Sequence, residues 1–133
     1  MKGIIIYDSQ YGCTEQIAQA IGEALGPEAK VIRVTEARTE DLADYSLVII
    51  GSPTQGGRQT VAIKNFVDNL PAEALAGKRF AAFDTRMKSV FVKVFGFAAP
   101  RIEAAIREKG GNCTAQPQGF FVKTGKGPLA DGE

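Results

Sequence analysis

The sequence predicts an α/β domain, a doubly wound five-stranded parallel sheet, and three observations carry that expectation. Gly3-Ile4-Ile5-Ile6-Tyr7 and Leu47-Val48-Ile49-Ile50-Gly51 are unbroken apolar runs of strand length, the pattern of strands buried on both faces. Each is followed by a polar loop containing glycine and then by a helical stripe. Five such strands alternate with helices, and right-handed βαβ crossovers return each strand parallel to the others.

The elements follow in order. After the first strand, Ile17, Ala20, Ile21, Ala24 and Leu25 recur at helical spacing, and Gly26-Pro27 stop the helix. Lys30-Val31-Ile32-Arg33-Val34 reads as a second strand whose alternating charges suit a sheet edge. Thr39, followed by Glu40 and Asp41, reads as the N-cap of a short turn of helix ending near Tyr45. The third strand breaks at Ser52-Pro53-Thr54-Gln55-Gly56-Gly57, after which Ile63, Phe66, Val67 and Leu70 share a helix face closed by Pro71. Phe80-Ala81-Ala82-Phe83 is the fourth strand and ends at Asp84-Thr85-Arg86. From Ser89 to Lys109 the pattern is helical, but Gly96 and Pro100 interrupt it, which predicts two pieces or a kink around residues 96–100, and Gly110-Gly111 end it. Thr114 to Val122 is the fifth strand, where Pro117 and Gly119 mark an edge position or a bulge.

Composition narrows the chemistry. The 133 residues, 44% of them hydrophobic, form one domain, 1–133. No apolar run approaches a bilayer span and no signal-peptide pattern follows Met1, so a cytoplasmic protein with no membrane partner is expected. The net charge of +1 is too small for the footprint of a nucleic-acid binder. Residues 1–66 carry six basic and eight acidic side chains and residues 67–133 ten basic and seven acidic, leaving room for a small basic patch. There is no histidine, which excludes His triads, His bases and His metal ligands. Cys13 and Cys113 stand alone without a Cys-x-x-Cys, so no zinc or dithiol motif is expected, and no metal.

In a doubly wound sheet, ligands bind beyond the carboxyl ends of the strands, where the winding reverses. The loops at 8–14, 51–60 and 84–89 are therefore the candidates. Ser9-Gln10-Tyr11-Gly12-Cys13-Thr14 joins a buried strand to a helix and is rich in hydroxyls without a Lys or Arg. The amides at a helix start and the positive end of its dipole favour an anion there, held by N–H groups and the hydroxyls of Ser9 and Thr14. Read structurally, the same residues make a small polar capping loop.

Tyr7-Asp8-Ser9-Gln10-Tyr11-Gly12-Cys13-Thr14-Glu15 resembles the phosphate-loop signature of the flavodoxin family, Ser/Thr-x-x-Gly-x-Thr. Gly51-Ser52-Pro53-Thr54 with Gly56-Gly57 is similar to that family's second loop, and Ala82-Phe83-Asp84-Thr85-Arg86 stands in the place of its third. The resemblance covers nearly the whole chain and implies the strand order 2-1-3-4-5. It also implies an FMN cofactor, with its phosphate at Ser9, Gln10, Tyr11, Gly12, Cys13 and Thr14. The flavin ring would lie between the second loop, Pro53, Thr54, Gln55, Gly56, Gly57 and Arg58, and the third, Asp84, Thr85 and Arg86. In flavodoxins a glycine-containing peptide of the second loop turns over on reduction so that its carbonyl accepts a hydrogen bond from the flavin N5–H. Gly56-Gly57 suits that role, since glycine reaches positive φ without a Cβ clash. No catalytic side chain is required.

The chain departs from the family pattern in several places. No tryptophan or other aromatic residue stands in the second loop; Tyr11, Phe95 and Phe97 are the aromatic residues in reach, as core or as stacking partners. Cys13 stands where the family has a small polar residue; a helix N-terminus can lower a thiol pKa, which makes it a candidate for oxidation or for modifying affinity, while the favoured reading is a small tolerated side chain in the loop. Cys113 reads as an apolar filler at the start of the last strand. Lys78, Arg79, Arg86, Lys88 and Lys93 against Asp84 give residues 78–93 a net charge of +4. That patch predicts an anionic or acidic redox partner and a less negative reduction potential than an acidic carrier has. The tail from Thr124 leads toward the family's final helix but stops at Glu133. The first and third strands are therefore expected to face water unless a second copy or another partner covers them.

The leading expectation is an FMN-binding electron-transfer protein. A flavin-dependent quinone or NAD(P)H reductase acting as a dimer, and a flavin-free interaction module on the same scaffold, are the alternatives.

Overall fold

Both unbroken apolar runs become central strands. The computed structural model describes residues 3–9, 12–54, 59–75, 77–87, 98–113 and 118–122. Strand β1 (Gly3–Tyr7) lies between β2 (Lys30–Arg33) and β3 (Leu47–Pro53), and β3 pairs with β4 (Arg79–Met87), every pairing parallel. The fifth position is shared by β5 (Asn112–Cys113) and β6 (Gln118–Val122), both parallel to β4. The order is thus 2-1-3-4-5, with the charged strand β2 on the edge. Every residue of β1 is buried, as a strand flanked on both sides and covered on both faces must be.

Alternation along β1 assigns the two faces. Ile4 and Ile6 enter the larger core with Val48, Ile50 and Phe80, under helices α2 (Val61–Asp68) and α4 (Ala98–Glu108) and the four-residue turn α3 (Ala72–Leu75). Ile5 and Tyr7 enter the smaller core with Phe83 under helix α1 (Cys13–Leu25). The first strand therefore does not face water as expected, because α1 covers it; on β3, Leu47 and Ile49 are half-buried.

The face α1 buries also differs from the expected stripe. Cys13, Thr14, Ile17, Ala18 and Gly22 are buried, while Ala20 and Ala24 are exposed. The cause is close packing at Gly22, where an added Cβ would lie 2.5 Å from Val31 Cγ2. Glycine lets the helix settle on β2 through its smallest residues, which turns Ala20 and Ala24 outward. Gly26, at φ 101°, ends the helix and donates its N–H to the Gly22 carbonyl.

Other boundaries shift for identifiable reasons. Val34 leaves β2 for a short 3₁₀ turn (Val34–Glu36) and is buried there. The second 3₁₀ turn (Thr39–Asp44) starts after Arg38, whose N–H donates to Asp41 Oδ2 at 3.0 Å, so Asp41 and not Thr39 satisfies its opening amide. Pro100 falls in the first turn of α4, which begins at Ala98, where no intrahelical N–H is needed. The other expected piece, from Ser89 to Phe97, lies outside the described residues. The fifth strand begins at Asn112 and is broken. Between Phe80↔Cys113 and Phe83↔Gln118 the edge advances two residues further than β4. Pro117, which has no N–H for a ladder, stands in that interval.

Candidate functional site

The carboxyl ends of β1, β3 and β4 lie side by side, so the three candidate segments gather along one edge of the sheet. Backbone bonds tie them together. The Asp8 N–H donates to the Gly51 carbonyl at 3.1 Å, and the Thr54 N–H donates to the Thr85 carbonyl at 2.8 Å. Between the hydroxyls of Thr14 and Thr85 a buried hydrogen bond of 3.0 Å joins the start of α1 to β4.

At the start of α1 the described residues of the first loop gather hydrogen-bond donors. Gly12 precedes α1 at φ 97°, a left-handed conformation that any side chain would strain. Lacking a side chain, Gly12 cannot cap the helix it precedes, and the first intrahelical bond runs from the Gln16 N–H to the Gly12 carbonyl. The amides of the opening turn are therefore presented to the edge of the sheet with the dipole behind them. Ser9 Oγ accepts the Gly12 N–H at 3.0 Å, which uses a lone pair of the hydroxyl and leaves its proton to donate. A phosphate-sized anion fits this donor set. Gln10 and Tyr11 lie outside the described residues.

In the second loop, Pro53 ends β3 and Thr54 follows it, both half-buried. Ser52 Oγ donates to the Pro53 carbonyl at 2.9 Å and accepts the Thr60 N–H at 3.0 Å, which draws together the two ends of the segment 53–60. Thr60 in turn caps α2, accepting the Ile63 N–H at 3.3 Å. Gln55, Gly56, Gly57 and Arg58 lie outside the described residues.

The third candidate segment is strand and not loop. Asp84, Thr85 and Arg86 continue β4, opposite Ser52, Pro53 and β6; of Arg86 only the backbone is described. Asp84 is fully buried, and its Oδ2 accepts the Ala99 N–H at 2.8 Å, while Thr54 Oγ1 accepts the Ala98 N–H at 3.2 Å. Both side chains thereby hold the start of α4. Asp84 faces the larger core, so its carboxylate anchors a helix beneath the site.

Electrostatic expectations change with these positions. Lys78 and Arg79 stand at the opposite end of β4 from Thr85, a separation of about 20 Å at the ordinary rise of a strand. The Lys78 ammonium is bonded to the Tyr45 carbonyl. Lys78 and Arg79 therefore stand apart from the carboxyl edge, which removes these two charges from the argument for an acidic partner and a raised potential. Phe95, Phe97, Lys88 and Lys93 lie outside the described residues. Cys13 is buried, and that burial pushes its thiol pKa up, against the lowering expected from the helix start. Cys113 is half-buried against the larger core, where burial likewise raises its thiol pKa.

Three residues absent from the candidate set sit at the base of the first loop: Tyr7, Glu15 and Arg33. The Tyr7 hydroxyl donates to Glu15 Oε2 at 2.9 Å, and Arg33 Nη1 donates to the Ser9 carbonyl at 2.9 Å. The available signal was the parallel register that sets Arg33 beside Tyr7, which a single sequence does not reveal.

A doubly wound α/β domain has its ligand-binding position where the winding reverses, and the candidate segments of this chain gather at that point. A family model described as a flavodoxin domain matches residues 4–126, and the chain belongs to the flavodoxin family. Among solved structures, a flavodoxin from the domain Archaea superposes with a TM-score of 0.78 at 26% identity, covering 92% of this chain and 85% of the other. The rubredoxin oxygen:oxidoreductase of Desulfovibrio gigas superposes with a TM-score of 0.74 at 21% identity, covering 92% of this chain and 30% of the other, a likeness of fold. An NAD(P)H dehydrogenase (quinone) of Caulobacter vibrioides is 32% identical over 90 residues, covering 50% of this chain and 45% of the relative. The chain thus spans less than half the length of that relative. These relationships set the domain among flavin-associated redox proteins. Among the described residues, no helix is long and apolar enough to cross a membrane.

Proposed function

We propose that this domain binds FMN and passes electrons between protein partners that meet it at the carboxyl edge of the sheet. The observation that carries the reading is the start of α1: a left-handed Gly12, opening amides with no side-chain cap and the Ser9 hydroxyl on the Gly12 N–H. When bound, FMN supplies reversible one- and two-electron transfer. The protein's part is to hold and orient the nucleotide. The amides of the opening turn and the Ser9 hydroxyl take the phosphate. Thr14, bonded to Thr85, fixes the distance between the phosphate end and the strand that borders the ring end. No side chain here has to donate or accept a proton.

Titration of the protein with FMN tests this directly. The expected result is saturable quenching of flavin fluorescence at one equivalent and a rise in melting temperature. Ligand at about one hundred times its Kd stabilises by about 2.7 kcal/mol. Unchanged fluorescence and unchanged melting would refute the assignment and leave the scaffold alone, as in a flavin-free interaction module.

A second reading, a flavin-dependent quinone reductase, is favoured by one observation: the Caulobacter relative is named NAD(P)H dehydrogenase (quinone). On this reading a second copy would complete the substrate pocket. Consumption of NAD(P)H with a quinone by the FMN-loaded protein separates it from the carrier.

A further inference from the structure

A charge cluster at the base of the first loop goes unused by the phosphate site as described so far. Arg33 ends β2 in register with Tyr7. Its Nη1 donates to the Ser9 carbonyl at 2.9 Å and lies 3.6 Å from Asp8 Oδ1, its Nη2 lies 3.3 Å from Glu15 Oε2, and its Cζ stands 5.3 Å from the centre of the Tyr7 ring. Glu15 Oε2 also accepts the Tyr7 hydroxyl, and Asp8 Oδ1 accepts the Ser9 N–H at 2.9 Å.

Two consequences follow for an anion bound beside Ser9. The first is geometric. The N–H and C=O of Ser9 are both committed, one to Asp8 and the other to Arg33, so the backbone that aims the Ser9 hydroxyl is fixed. A carbonyl oxygen held by a guanidinium does not turn toward phosphate oxygens, which it would repel. The second consequence is electrostatic. Asp8 and Glu15 bring two negative charges to the loop, Glu15 in the first turn of α1 itself, and Arg33 supplies a positive charge close to both.

As a device for stability alone the cluster is weak. The Arg33 and Glu15 side chains are 36% and 43% exposed, and ion pairs this open contribute little to folding. Beside a dianion the same charge matters more, because it offsets repulsion that would act on the ligand directly.

We infer that Arg33 is a positioning residue for the phosphate of the bound nucleotide, acting through the Ser9 carbonyl and the Glu15 carboxylate without touching the phosphate. The inference rests on the FMN reading above. Titration of wild type, Arg33→Gln, Arg33→Lys, Glu15→Gln and the double variant R33Q/E15Q with FMN and with riboflavin, at low and high salt, tests it.

Wild type binding FMN more tightly than riboflavin is the starting requirement. Arg33→Gln should weaken FMN about tenfold at low salt, the scale of a lost charged hydrogen bond, and riboflavin by less than about twofold. High salt should narrow the loss. Adding Glu15→Gln should recover most of it, since the carboxylate left unpaired is then gone. Arg33→Lys keeps the charge but not the two-pronged donor, so its loss should be intermediate. Thermal melting of the apoproteins reports folding. If Arg33→Gln does not fold, Glu15→Gln alone decides, and FMN tightened by about twofold or more supports the inference.

Equal losses for FMN and riboflavin would overturn it, because a merely structural role moves both. Unchanged FMN affinity in Arg33→Gln, no rescue in the double variant, or unchanged affinity in Glu15→Gln would do the same. Wild type that binds no FMN removes the parent reading and this inference together. Wild type that binds FMN while Arg33→Gln matches it removes this inference alone.

Discussion

Gly51→Ala tests the packing directly beneath the site. Gly51 of β3 stands in register with Phe83 of β4. A methyl group built on it would lie 2.1 Å from Phe83 Cζ, 2.3 Å from Cε1 and 2.5 Å from Cε2. Carbon atoms in favourable contact sit about 3.5–4.0 Å apart, so the ring must retreat by more than about 1 Å. No open space receives it, since Phe83 is 2% exposed and packs with Ile5, Tyr7 and Ile17. Overpacking of this kind costs about 1–3 kcal/mol. In a domain of 133 residues, each kcal/mol lowers the melting temperature by about 3–5 °C. Gly51→Ala should therefore melt about 3–15 °C below the parent in a circular-dichroism scan. Phe83→Leu removes the outer ring atoms and is destabilising alone, because it opens a cavity. Combined with Gly51→Ala it should cost less than the two losses added, by about 1 kcal/mol or more. A variant melting within about 1 °C of the parent, or strict additivity in the pair, would refute the argument.

Two further predictions concern the edge of the sheet. Thr14→Val and Thr85→Val each leave a buried hydroxyl without its partner and should each cost about 1–2 kcal/mol by urea unfolding. The double valine variant should lie nearer the parent than either single one, and a larger loss in the double would contradict the pairing. Tyr7 contributes stability that depends on pH. Burial first, and then the bond to Glu15 and its charge, raise the phenol pKa above its ordinary 10.0. The folded state thus holds the phenolic proton more tightly than the unfolded state does. That contribution is complete below pH about 10 and is lost as pH rises through the folded value. Tyr7→Phe should be less stable than the parent at pH about 8, with the gap closing in alkaline solution; a gap that stays constant through pH about 11 would exclude the effect.

Periodicity and punctuation made the frame legible. Four consecutive buried side chains in β1, Ile4 to Tyr7, identify a central parallel strand, and the charged Lys30 and Arg33 identify β2 as an edge. Three kinds of information were not local. The side of α1 that meets the sheet depends on Gly22 against Val31, a contact between a helix and a later strand. Asp84 looked like a loop residue near a ligand, but β4 runs past it and its alternation turns the carboxylate into the larger core to hold Ala99. Arg33 lies twenty-four residues from Ser9 along the chain and reaches it only because β1 and β2 pair in one particular register. Of the basic run, Lys78 and Arg79 fall at the far end of β4 from Thr85, a separation that the sequence alone does not show. The pattern of the first loop is by contrast local, since Ser9, Gly12 and Thr14 fall within six consecutive residues.

The bonds from Ala98 to Thr54 and from Ala99 to Asp84 bring the entrance of α4 back beside the stretch of β4 that the chain has only just left. The opening of α4 is thereby clamped to the ends of two neighbouring strands through one hydroxyl and one carboxylate, so loss of either side chain would loosen the helix where it meets the sheet.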